Sequence, residues 1–139
     1  MSDELITKAL QTHLKTFADA QTPKLAIAYE GVAFIMDATK SHLAEYTLPA
    51  ETQNPSIGRD HARFIGTYQV DVDTPAGSNV VALRKLANSL AAHFKRGTVC
   101  INSTQRVLVL QTPSISPIIT GDGRMKRAVS IRYQSDVFA

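Results

Sequence analysis

The sequence predicts an α+β fold: a mainly antiparallel, mixed β-sheet of about five strands with two amphipathic helices packed on one face. Three observations carry this. Two stretches repeat apolar residues at helical spacing. Several others read as strands bounded by turn residues. The run from Arg63 to Asp73 alternates apolar and polar side chains, the mark of a sheet wet on one face. The 139 residues are read as one domain, 1–139, with a single core.

The first helix opens on acidic residues, with Ser2 or Asp3 able to cap it. Leu5, Ile6, Ala9, Leu10, His13, Leu14 and Phe17 form its stripe, and it fades near Asp19, ahead of Pro23. "KLAIAYE" reads as a short strand. "GVAFIMDATK", interrupted by Gly31, reads as irregular or as a strand edge, and "SHLAEYTLPA" as a second strand ending at Pro49. Glu51 to Asp60, "ETQNPSIGRD", is a long polar loop whose only large apolar residue is Ile57. That composition predicts a segment ordered by contact with a partner. In "RFIGTYQVDVDTPAG", Phe64, Gly66, Tyr68, Val70 and Val72 point one way. Ile65, Thr67, Gln69, Asp71 and Asp73 point the other, towards water.

Thr74 to Gly77 turns the chain, and Ser78 can cap the second helix. Its stripe is Val80, Leu83, Leu86, Ala87, Leu90 and Phe94, and Lys95-Arg96-Gly97 reads as its stop. "TVCI", "QRVLVLQTP" and "KRAVSIRYQS" close the sheet, with Gly121-Asp122-Gly123 as a hairpin tip.

The charge is two-signed. Residues 1–76 hold six Lys/Arg and ten Asp/Glu; residues 77–139 hold nine and two, which leaves net +3. Such polarity suits head-to-tail contact, unless the halves interleave in space. The lone Cys100 excludes an internal disulfide and fits a reducing compartment. The apolar runs are too short to span a bilayer, and the acidic N-terminus does not read as a signal peptide.

Nothing in the pattern reads as catalytic, and neither a cofactor nor a metal is expected. His13, His42, His61 and His93 lack metal-site spacing with one another or with Cys100. Nucleophile-elbow, phosphate-loop and dinucleotide patterns are absent. Asp71 and Asp73 share a strand face without an evident third acidic ligand. Arg124, Lys126, Arg127 and Arg132 form a basic hairpin without interleaved aromatics, which argues against sequence-specific nucleic-acid binding. Arg124, Lys126 and Arg132 share one parity, so their face must meet water, acidic groups or DNA. Glu51, Asp60, Asp71 and Asp73 are the acids a neighbouring copy could offer them. With Arg59, these residues are the expected subunit or partner interface.

Read end to end, "AIAYEGVAF" is followed by an exposed strand ending "LPA", a polar loop and "GTYQVDVDTPAG". A helix ending "LAAHFKRGT" comes next, then "LQTPSISP" and "AVSIRY". This order resembles the tail-terminator-like proteins of long-tailed bacteriophages, relatives of minor tail protein U, over nearly the whole chain. The G-x-Y-Q-V-x-V strand with its P-A-G turn and the F-x-R-G-T helix exit carry most of the likeness. "GVAFIMDATKSHLAEY" departs from the family pattern, which has a proline-containing stretch there. The resemblance implies a six-membered ring on the finished tail tube that stops its polymerisation and presents a surface to the head. The implied partners are further copies, the major tail tube protein and a head-side connector protein. The implied place is the virion tail, assembled in the bacterial host cytoplasm, with no enzyme activity. The alternatives are another tail or neck ring component (a tube or connector subunit) and a small basic nucleic-acid-binding protein.

Overall fold

The computed structural model describes residues 3–55, 57–58, 61–77, 79–102 and 105–138. Helix α1 (Asp3–Asp19) forms where the stripe predicts it and buries Ile6, Leu10, Leu14 and Phe17. Helix α2 (Val80–His93) buries Leu83, Ala87 and Leu90, with Phe94 buried just beyond it. Its ends differ from expectation. Asn79 caps it, accepting the Val81 N–H at 2.8 Å, and Ser78 lies outside the described residues. The helix stops at His93, and Gly97, at φ +88°, serves a turn closed by Thr98 N–H on the Lys95 carbonyl.

The strands are β1 (Ala26–Ala28), β2 (His42–Pro49), β3 (His61–Pro75), β4 (Val99–Asn102), β5 (Gln105–Val109), β6 (Ser114–Ile115), β7 (Ile119–Gly121) and β8 (Arg124–Phe138). They form one sheet in the order β1-β2-β3-β8-β5-β4, with β6 and β7 on β8. The β1–β2 pair is parallel and the other pairs antiparallel. The strand count exceeds the expected five or so because "SISPIITGDGR" contributes β6 and β7, pieces too short to show a period.

The spine is β3 and β8, 15 residues each, paired from His61↔Phe138 to Pro75↔Arg124. At the usual strand rise this ribbon is roughly 50 Å long. At the Arg124 end, β7 and β8 join in the expected hairpin tip, with Asp122 at φ +52° and Gly123 at +71° between Gly121 and Arg124. Gly66 lies opposite Tyr133. A β-carbon there would sit 2.6 Å from the Tyr133 hydroxyl oxygen and 2.7 Å from the Leu48 carbonyl oxygen. The missing side chain is what lets the buried Tyr133 ring lie across β3.

Both helices lie on one face, α1 across β4 and β5 and α2 across β8 and β3. The core forms between them and Leu43, Tyr68, Val70, Val72, Val107, Val129 and Ile131. In the sheet, the N-terminal strands β1–β3 and the C-terminal strands β4–β8 keep to opposite flanks. In the helix layer, α1 crosses to cover C-terminal strands. The halves of opposite charge therefore interleave in one layer and stay apart in the other.

Candidate assembly surfaces

One end of the β3–β8 ribbon overturns a reading made from parity. Asp73 was expected to face water; it is 4% exposed. Arg124, 5% exposed, donates from Nε to Asp73 Oδ1 at 2.7 Å. Its Nη1 reaches the Ala38 carbonyl at 3.2 Å and its Nη2 the Lys40 carbonyl at 2.9 Å. His42 Nε2 stands 3.5 Å from Asp73 Oδ2, and Lys126 Nζ stands 3.8 Å from the same oxygen. Burial holds His42 below its ordinary range, against the pull of Asp73. Alternation places Asp73 on the outer face correctly, but at this end the chain between β1 and β2 folds over that face. The acid that Arg124 meets belongs to its own subunit, and the guanidinium pins Ala38 and Lys40 to the sheet.

The far end repeats the residue types. Asp136 accepts from Arg63 Nε at 2.9 Å, Gln134 Nε2 at 3.0 Å and His61 Nε2, also at 3.0 Å. Burial pushes the Asp136 carboxyl up, but these hydrogen bonds outweigh it and hold the group below the usual carboxylate range.

The remaining expected interface residues do not form one cationic strip. Lys126 and Arg132 are exposed, and Arg132 lies opposite Thr67. Arg127 is half-buried and donates to the Ser116 carbonyl at 2.7 Å. Asp71 is half-buried and accepts from Gln69 Nε2 at 3.0 Å. Glu51 is exposed, and Arg59 and Asp60 lie outside the described residues. The open face of the sheet adds exposed apolar residues at both flanks, Tyr46 and Leu48 on β2 and Val99, Ile101 and Leu108 on β4 and β5. Ile35, at 96% exposure, and Ile57, at 108%, stand on the two loops that flank β2.

Two long-range polar contacts, one at a buried carboxylate and one between half-buried histidines, lay beyond sequence reading. Glu45 is fully buried on the core side and binds Gln11 Nε2 at 2.8 Å and the Glu30 N–H at 3.2 Å. Neither its Oε2 nor the Tyr68 hydroxyl makes a well-formed hydrogen bond. Burial first, then the Glu45 charge, holds that hydroxyl far above the usual tyrosine range. His13 and His93 stack at 4.0 Å, each ring bonding the other's backbone carbonyl through Nε2, at 2.9 and 2.8 Å. Because a carbonyl only accepts, each Nε2 carries a proton. Burial lowers the His93 pKa, and it pushes the Cys100 thiol up to about 11. Contacts spanning 34 and 80 residues leave no local signal in a single sequence. Glu45 acts as a strut within the core and the histidine pair as one at its boundary.

A family model described as phage tail terminator protein matches residues 5–133, from α1 to the tyrosine that packs over Gly66. The chain belongs to the phage tail terminator family. It is a structural protein of the phage tail and a component of the virion. A solved structure whose name states no function is 29% identical, with a TM-score of 0.83 over 100% of this terminator chain and 99% of its own. Another, from the virion of a native gene transfer agent particle, is 16% identical, with a TM-score of 0.57 over 99% and 100%. The second likeness shows a shared fold. No curated protein matches the chain in sequence.

Proposed function

We propose that this chain forms a ring that caps the finished tail tube, stops its polymerisation and presents the surface that joins the head. The observation that carries this is the family match across residues 5–133, which takes in both helices and nearly the whole sheet. The ring's partners are then further copies, the tail tube protein and a head-side connector protein, and assembly takes place in the host cytoplasm. Glu51, Asp71, Lys126, Arg127 and Arg132, with Arg59 and Asp60 beside them in the chain, serve its contacts. Asp73 and Arg124 shape the subunit from within. The exposed apolar residues on the open sheet face support a protein that works through contacts.

Electron microscopy of a phage lacking the gene tests the proposal. Tails of unregulated length that fail to join heads are expected, and supplying the chain from a plasmid should restore joined tails. Head-joined tails of normal length in the deletion lysate overturn it.

A further inference from the structure

A groove of about 720 Å³ opens where β2 begins, between the chain leading into β1, the crossover from Phe34 to His42, and α2. Leu25, Phe34 and Leu86 give it apolar walls. Lys24 and Lys85 stand at its rim, and Lys40 lies there with Asp37, 4.0 Å away. The local balance is thus three cations to one acid. Arg124 holds one wall in place through the Ala38 and Lys40 carbonyls, so the groove does not depend on a ligand for its shape.

The matching feature sits past the other end of β2. The loop from Glu51 to Asp60 carries two acids and one arginine, and its single large apolar side chain, Ile57, is fully exposed. Strand β2 has eight residues, so roughly 25 Å separates groove from loop. No copy can fill its own groove.

We infer that the groove of one copy receives the Ile57 loop of the next. The isoleucine enters between the apolar walls, and Glu51 at the start of the loop meets the rim lysines. Because the two surfaces differ and lie at opposite ends of one strand, the contact is head-to-tail, the kind that closes rings. The inference rests on the ring reading and supplies its joint.

Cysteine pairing tests it. Ser89 lines the groove and is exposed, so Ser89→Cys leaves the core intact. A chain carrying Ile57→Cys and Ser89→Cys should give a ladder of disulfide-linked multimers on mild oxidation. Chains carrying one substitution each should give only mixed dimers. Native Cys100 is buried, with its thiol pushed up to about 11, and should stay silent in the unsubstituted control. Lys85→Glu should lower cross-linking by on the order of tenfold, and adding Glu51→Lys should restore it. Complementation of a deletion phage is read in parallel. Substituted chains that restore tails yet form no mixed cross-link, in purified tails or in concentrated solution, overturn the joint and leave the function standing. Equal cross-linking of Ile57→Cys to itself also overturns it. Chains that cross-link as expected but do not complete tails overturn the ring reading and leave the contact standing.

Discussion

The two ends of the β3–β8 ribbon hold the same three residue types in different surroundings. At one end Asp73 meets Arg124 and His42; at the other Asp136 meets Arg63 and His61. The contact distances are similar, 2.7 Å for Arg124 to Asp73 and 2.9 Å for Arg63 to Asp136. The side chains of the first pair are 5% and 6% exposed, those of the second 32% and 28%. Distance alone would rank the two as equals, yet burial sets what each is worth. A buried charge stripped of its partner has no water to turn to, whereas a half-exposed one is rehydrated. The buried cluster also organises backbone, since Arg124 spends its other donors on Ala38 and Lys40.

The largest expected difference follows from removing each carboxylate. Asp73→Ala leaves the buried Arg124 with no carboxylate, only the Ala38 and Lys40 carbonyls and His42 Nδ1 at 3.3 Å, and should cost about 3–5 kcal/mol. Urea unfolding measures it, and amide exchange at Ala38 and Lys40 should speed up in the same variant. A loss below about 1 kcal/mol would place this pair in the same class as the exposed one.

Acid should separate the ends by pH. Burial lowers the folded pKa of His42 from 6.5, as it does for His93. The unfolded chain then takes up protons that the folded chain refuses, so stability is full above pH 6.5 and falls below it. Each histidine contributes at most about 1.4 kcal/mol per pH unit. Asp136 works lower down, because its folded pKa lies under 3.8. Its contribution is present above pH 3.8 and is lost as pH falls through the folded value. Unfolding free energies taken against pH should show two acid steps. His42→Asn should flatten the upper step, leaving the His93 share, without moving the lower one.

The smallest effect belongs to Asp136→Ala. Arg63 and Asp136 keep 32% and 28% of their exposure and His61 14%, so the loss should stay at about 1 kcal/mol, as for a part-exposed pair, and shrink further in high salt. A loss as large as that of Asp73→Ala would show that the exposed end carries structural weight that its burial does not account for.

The local pattern of the chain determined the helices, the long strand and the hairpin tip. Each depends on neighbours in sequence: the stripe from Ile6 to Phe17, the alternation from Phe64 to Val72, and glycine placed where φ turns positive. The order of motifs, read through a family resemblance, also pointed to a phage tail protein. Tertiary structure alone decided which polar residues are inside. Parity put Asp73 and Arg124 on the outer face, and they are there, but a crossover some 35 residues away in sequence from Asp73 covers them. The partners of Glu45, and the pairing of His13 with His93, escaped for the same reason, since they lie on other elements, although His13 itself was placed in the apolar stripe. Alternation tells which way a side chain points. Whether it meets water depends on what the rest of the chain lays over it, and with it the energy of every charge on that face.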